Sequence, residues 1–184
     1  MITVHLLRHA EPDYAILVSD DRRFAGNRRD FAPLSRDGRE TAASVAAALG
    51  ATTDAQLVVS SPYTRALETA AHVAAATGAP LRVIPQLHDW LAVIHGGAPI
   101  DAERVDLSIA EYLAGEHADA TFETPDQVGR RVEAVVSDLA SEGWREVVLV
   151  AHQEPLCRFA GIQELGMGEY VTRVFDPQRR EEDA

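Results

Sequence analysis

Two histidines and two arginines of this chain have the chemistry of a phosphate pocket. Arg8 and His9 directly follow one apolar stretch, His152 follows another, and Arg65 lies between them in the chain. A guanidinium is a planar fork that matches phosphate oxygens. One histidine can act as a nucleophile that splits phosphoryl transfer into two easier steps, and a second one, when protonated, can neutralise charge on the transferring oxygens. An Arg-His pair alone is equally typical of an ordinary histidine at the end of a strand, so the rest of the chain must distinguish a phosphate site from this simpler interpretation.

The elements that position these residues are three predicted strands, residues 2–7, 56–60 and 147–150, all rich in apolar residues. The first ends in Arg-His, the second leads through Ser-Ser-Pro to an arginine, and the third ends in Ala-His. Parallel strands joined by helical crossovers place their C-terminal ends at one edge of a sheet, where ligands bind. We therefore expect the four side chains to meet at that edge.

Helical signals separate the strands. Ser35 is a good N-cap for a helix that runs to Gly50, and apolar residues at helical spacing predict a second helix over residues 63–77. Thr124, Pro125 and Gln127 form a capping-box start, and Pro155 is expected to open a further helix. With short strands at residues 81–84 and 170–175, this alternation predicts an α/β fold: a three-layer α/β/α arrangement around a mainly parallel sheet.

Other segments carry weaker patterns. Residues 12–32 have no clear period and are interpreted as a long loop over the mouth of the site. The pattern over residues 85–122 is weak, and it predicts a loop at 95–99 and a short helix at 107–113. A charged tail from about residue 177 is expected to be frayed. Without a linker or repeat, residues 1–184 are interpreted as a single catalytic domain.

Composition excludes several classes of function. A net charge of −12 argues against nucleic acid and against anionic membrane surfaces as partners. Cys157 is the only cysteine, so no intrachain disulfide can form. Neither a signal peptide nor a membrane span is indicated, and we expect a soluble cytoplasmic protein. The oligomeric state is not predicted.

A metal or cofactor is not expected. Two histidines flanked by guanidiniums would repel a divalent cation, and no carboxylate stands beside them in a known ligand spacing. Neither a P-loop nor a dinucleotide-binding glycine motif is present.

Four motifs resemble those of the histidine phosphatase superfamily, the phosphoglycerate mutase-like proteins. Residues 7–11, Leu-Arg-His-Ala-Glu, resemble its Arg-His-Gly signature. Residues 60–70 resemble its second motif, in which an arginine follows Ser-Ser-Pro and precedes Thr-Ala. Residues 33–38 resemble its first-helix start, and residues 150–152 its second-histidine strand. The four occur in the family's order.

The resemblance implies roles for individual residues. His9 would be the nucleophile that becomes phosphohistidine, while Arg8, Arg65 and His152 would bind the phosphoryl group. Arg23 resembles a substrate-loop arginine less closely, and a solvated loop arginine is an equally good interpretation.

The sequence departs from the family pattern at three places. Ala10 replaces the usual glycine, and Gln153 with Glu154 replaces the glycines that commonly follow the second histidine. The proton donor is normally a glutamate in a Leu-x-Glu setting, whereas here Asp89 follows Leu87 at two residues' distance. Asp89 is therefore the candidate donor, with Glu11 and Glu154 as fallbacks.

The resulting interpretation is a cofactor-independent histidine acid phosphatase-type phosphomonoesterase that acts on a small phosphorylated metabolite through phosphohistidine. A phosphoglycerate mutase-type phosphotransferase remains open, although the chain lacks obvious insertions that would close a lid over a retained intermediate. A non-catalytic binder of phosphorylated ligands is the other alternative, because the acid position is altered. The physiological substrate is not identified.

Overall fold

The computed structural model describes residues 1–17, 26–90, 114 and 123–178, and is built on a five-stranded sheet. Its strands are β1 (Ile2–Arg8), β2 (Leu57–Ser60), β3 (Leu81–Val83), β4 (Glu146–Ala151) and β5 (Tyr170–Phe175). Their order across the sheet is β3-β2-β4-β1-β5. This order places β3 and β5 at the two edges. All neighbouring pairs are parallel except β1 and β5, which are antiparallel.

Helices cover both faces of this sheet. Among the described residues, the α-helices that pack on it are α1 (Arg36–Thr52), α2 (Thr64–Thr77), α3 (Pro125–Ser141) and α4 (Gln153–Ala160). The apolar cluster on one face contains residues of α1 and α2, and the cluster on the other face contains residues of α3 and α4. The predicted three-layer α/β/α arrangement with a mainly parallel sheet is confirmed.

The central strand β4 shows why a continuous apolar run is needed here. Val148 and Val150 pack toward α1 and α2, whereas Val147 and Leu149 pack toward α3 and α4, and all four are fully buried. Successive side chains of a strand point to opposite faces, so a strand covered on both sides favours apolar residues at successive positions.

The helix starts follow the predicted capping chemistry. The Ser35 side chain accepts a hydrogen bond from the backbone N–H of Gly38, and Thr124 forms a complete capping box with Gln127. A Cβ at Gly38 would lie 2.1 Å from the backbone oxygen of Glu11, so only glycine lets α1 approach the segment that follows β1.

Helix boundaries differ from their predictions at two places. Helix α1 runs through the expected stop at Gly50 and ends at Thr52. Helix α4 begins at Gln153, two residues before the expected start at Pro155. The first backbone N–H groups of a helix have no intrahelical partner, so a proline in the first turn does not prevent an earlier start.

Several sequence interpretations fall outside the described residues: the loop at 95–99, the helix at 107–113, Arg23 and the end of the charged tail. Within the described part of the chain, no helix is long and apolar enough to cross a membrane.

Candidate active site

The predicted strand-end cluster is present at the C-terminal edge of the sheet. Strands β1 and β4 pair with Arg8 opposite Ala151, and the backbone N–H of His9 donates to the Ala151 carbonyl at 3.0 Å. His9 and His152 thus leave adjacent strands at the same level, with ring centroids 5.1 Å apart. The sheet register alone brings together two histidines that are 143 positions apart in the chain.

His9 is held as a neutral imidazole whose two nitrogens meet different partners. Its Nδ1 lies 2.7 Å from the Ala10 carbonyl, which can only accept, so Nδ1 carries the proton. Its Nε2 therefore keeps its lone pair and accepts from Arg65 Nε at 3.1 Å. Burial, followed by the nearby His152, lowers the pKa of His9 to about 3. This is the protonation state that a nitrogen nucleophile requires.

His152 is neutral for a similar reason but uses the other tautomer. Arg65 Nη2 donates to its Nδ1 at 3.2 Å, so Nε2 carries the proton and donates to Ser61 Oγ at 2.8 Å. Burial, followed by the charge of Arg65, holds the pKa of His152 well below its usual range. The ring of Tyr63 packs edge-on against His152 at 5.0 Å between centroids.

Arg65 is the centre of the pocket. Besides the two histidines, it donates to the Arg29 carbonyl at 2.8 Å and to Asp89 Oδ2 at 3.1 Å. Its own backbone is fixed by Thr69, whose hydroxyl donates to the Arg65 carbonyl and accepts from the Ala10 N–H. Thr69 therefore ties the start of α2 to the segment that follows β1.

Arg8 approaches from the side of α4. Its Nη1 donates to the Leu165 carbonyl at 2.8 Å and to the side-chain oxygen of Gln153. Its Nε is buried and has no hydrogen-bond partner among the described residues. A buried guanidinium N–H without an acceptor is costly, and an anion in the pocket would supply one.

Asp89 lies at the same pocket, where its carboxylate contacts Arg65. The segment that carries it is clamped from α3, since Arg131 Nη1 donates to the carbonyls of Gln86 and His88. The remaining donors of Arg131 form a two-pronged ion pair with Glu123, whose carbonyl accepts from the Trp90 indole N–H.

The fallback carboxylates have other contacts. Glu11 accepts from the Ser35 hydroxyl at 2.6 Å, at the N-terminus of α1. Glu154 pairs with Arg158 one turn along α4, at 2.6 Å. Of the predicted site residues, the structure therefore brings together Arg8, His9, Arg65, Asp89 and His152.

Sequence reasoning assigned no role to several residues of this pocket. Ser61 and Tyr63 lie inside the Ser-Ser-Pro motif, so their closeness to Arg65 in the sequence could have indicated that they line the pocket. Asp30, close enough for its charge to act on Arg65 and Asp89, has its pKa raised chiefly by burial. Nothing in the local pattern around Asp30 or Arg131 indicated contact with the pocket, because both come to it through tertiary packing.

The fold and the pocket define a class: α/β proteins with paired histidines and arginines at the C-terminal edge of a mainly parallel sheet. The sequence model of the histidine phosphatase superfamily (branch 1) matches residues 4–170. The chain belongs to this superfamily.

Solved structures share this fold at low sequence identity. The mycobacterial glucosyl-3-phosphoglycerate phosphatase in complex with VO3 is 23% identical, with a TM-score of 0.69 over 94% of this chain and 90% of that one. Bacillus stearothermophilus YhfR is 21% identical, with a TM-score of 0.70 over 96% and 93%. A putative alpha-ribazole-5'-P phosphatase from Escherichia coli is 20% identical, with a TM-score of 0.64 over 93% and 89%. No curated protein matches the chain in sequence.

Proposed function

We propose that this protein is a phosphomonoester hydrolase that acts on a small phosphorylated metabolite through a phosphohistidine at His9. The observation that carries the proposal is the hydrogen bond from His9 Nδ1 to the Ala10 carbonyl, which directs an unprotonated Nε2 into a pocket of guanidinium groups. Membership of the histidine phosphatase superfamily supports it, as do phosphatases among the proteins of the same fold.

In the first step, Arg8, Arg65 and His152 hold the phosphoryl oxygens while His9 Nε2 attacks phosphorus. His152 does so as an imidazolium that donates from Nδ1, a form that the negative charge of the bound phosphate favours. Asp89 takes up a proton when the phosphate replaces it as the partner of Arg65, and it gives this proton to the leaving oxygen as the bond to phosphorus breaks. In the second step, a water attacks the phosphohistidine and passes a proton to Asp89. The phosphorus–nitrogen bond then breaks and inorganic phosphate is released. Arg23 remains a proposed substrate contact.

Hydrogen bonds that already lie in place lower the barrier because they need no reorganisation as charge develops. The buried Arg65 supplies part of this preorganisation, because its guanidinium is held between both histidines and Asp89, and the phosphoryl oxygens would replace these side chains as its acceptors. The chemistry assigns no step to a metal or an organic cofactor.

The test is turnover of p-nitrophenyl phosphate, combined with rapid quenching in alkali, where phosphohistidine survives. We expect steady turnover and a phosphorylated peptide containing His9, both absent in His9→Ala. His72→Ala, which removes a histidine of α2 outside the pocket, is the matched control and keeps both. Retention of more than a few per cent of activity by His9→Ala would refute the nucleophile assignment.

The same experiment separates the two alternatives. A non-catalytic binder would take up phosphate stoichiometrically without turnover. A mutase-type phosphotransferase would accumulate phosphohistidine that a second substrate hydroxyl, rather than water, discharges. Steady release of inorganic phosphate without an added acceptor distinguishes the hydrolase from both.

A further inference from the structure

Gln153 stands where the family commonly has a glycine, and its side chain contacts Arg8. The amide oxygen accepts a hydrogen bond from Arg8 Nη1, the nitrogen that also donates to the Leu165 carbonyl. Two acceptors from different segments thus hold one end of the Arg8 guanidinium.

The geometry of a guanidinium gives this anchoring a direction. Nε and Nη2 donate from one edge of the planar fork, and this edge can bind two oxygens of a phosphate side by side. Nη1 lies away from that edge. Anchoring Nη1 therefore leaves the Nε–Nη2 edge to face an anion, and Arg8 Nε is indeed buried without a partner among the described residues.

We propose that Gln153 is a positioning residue that orients the side-on edge of Arg8 toward the phosphoryl group. This inference rests on the proposed function and adds a residue that acts through Arg8 rather than on the substrate. Gln153 is the first residue of α4 and directly follows His152, so the same helix start places a pocket histidine and the anchor of a pocket arginine.

An amide suits this task better than a carboxylate. It accepts from the guanidinium without cancelling the positive charge that the phosphate needs, and it adds no negative charge to the pocket. A carboxylate at the same place would form an ion pair with Arg8 and repel the incoming dianion.

The experiment measures KM, kcat and the inhibition constant of inorganic phosphate for Gln153→Ala and for Gln153→Met. Methionine keeps the length of the side chain and the helix propensity but cannot accept the bond, so it covers the case in which alanine disturbs the fold. We expect phosphate to bind about tenfold more weakly in both variants, the effect of one charge-assisted hydrogen bond on an oriented donor. KM should rise more than kcat falls.

Gln153→Glu provides a pH signature that a merely structural role would not produce. Its kcat/KM relative to the wild type should be lowest above pH 6, where the new carboxyl is ionised. It should recover only as the pH falls below ~4.3, the ordinary pKa of glutamate, because the ion pair with Arg8 favours the ionised form. Gln56→Ala is the matched control. Gln56 also accepts hydrogen bonds, from the N–H groups of Arg145 and Glu146, but at the opposite end of the sheet.

A double-mutant cycle decides whether Gln153 acts through Arg8. In the Arg8→Ala background, Gln153→Met should weaken phosphate binding no further. Full additivity of the two losses, or an unchanged phosphate constant in Gln153→Met, would overturn the inference. If the wild type itself neither binds phosphate nor turns over p-nitrophenyl phosphate, the proposed function fails instead.

Discussion

Asp89 Oδ2 lies 3.5 Å from His152 Nδ1, and Arg65 Nη2 donates to both atoms. An aspartate is one methylene shorter than the glutamate that the family pattern leads one to expect, yet its carboxylate reaches Arg65 and His152, two of the proposed phosphate ligands. Arg131 fixes the segment that carries Asp89, because it donates to the Gln86 and His88 carbonyls.

The first prediction concerns the role of Asp89 as proton donor. A positioned general acid contributes ~10²–10⁴-fold, but only where the leaving oxygen needs a proton. Asp89→Asn should therefore slow an alkyl phosphate at least about 100-fold and p-nitrophenyl phosphate much less. The measurement is kcat/KM for both substrates. Asp89→Glu should retain alkyl phosphatase activity. Equal slowing of both substrates would indicate binding or folding, and no effect would move the role to Glu11, Glu154 or water.

The second prediction tests the clamp on the segment that carries Asp89. Arg131→Ala removes the bonds to Gln86, His88 and Glu123, so the acid should lose its position while the nucleophile keeps its own. We expect a leaving-group dependence like that of Asp89→Asn but weaker, about tenfold on the alkyl phosphate. Arg130→Ala, at the exposed neighbouring position of α3, is the control. If the ratio of alkyl phosphate to p-nitrophenyl phosphate turnover is unchanged in Arg131→Ala, Arg131 does not position Asp89.

The third prediction is a loss of stability on acidification. The pKa of His9 is about 3 in the folded protein, against 6.5 for an ordinary histidine, so below pH 6.5 the unfolded chain binds the additional proton. The stability contributed by the neutral side chain is complete above pH 6.5 and falls by about 1.4 kcal/mol per pH unit as the pH drops toward 3. Urea unfolding between pH 7.5 and 4.5 measures the slope. His9→Asn should make the dependence of unfolding free energy on pH shallower. An identical slope in the variant would refute the account that His9 is buried in its neutral form.

The fourth prediction concerns Asp30. Burial, the largest cause, raises its pKa, so the ionised carboxylate opposes folding at neutral pH. Asp30→Asn should raise the Tm at pH 7, and the gain should disappear as the pH falls toward the ordinary pKa of aspartate, where the wild-type side chain is also neutral. Asp37→Asn, in the first turn of α1, should bring no such gain because a carboxylate is favourable at a helix N-terminus. Equal Tm shifts in both variants would count against this account.

The fifth prediction concerns metal ions. Because the proposed mechanism uses only histidine, arginine and aspartate side chains, dialysis against EDTA should leave the turnover of p-nitrophenyl phosphate unchanged. Mg²⁺ or Zn²⁺ added back to the dialysed protein should not increase the rate. Loss of activity in EDTA with recovery on one metal would require a different account of the pocket.

The sequence by itself determined the elements and the residues that terminate them. The capping residues Ser35 and Thr124 and the apolar run of β4 act over a few positions, so the helix starts and the strand can be predicted from the local sequence. The order of strands and helices then implied the sheet. The order of the elements also predicted which residues meet at the site: Arg8, His9, Arg65 and His152. They follow parallel strands, and parallel strands end at a common edge of the sheet.

Only the tertiary structure decided how these groups are held. The tautomers of His9 and His152 depend on which acceptor or donor each ring nitrogen meets, and the lowered pKa of His9 depends on burial. The approach of Asp30 to the pocket and the clamp by Arg131 join residues far apart in the chain. No periodicity or motif encodes such contacts, because they follow from how whole elements pack against one another.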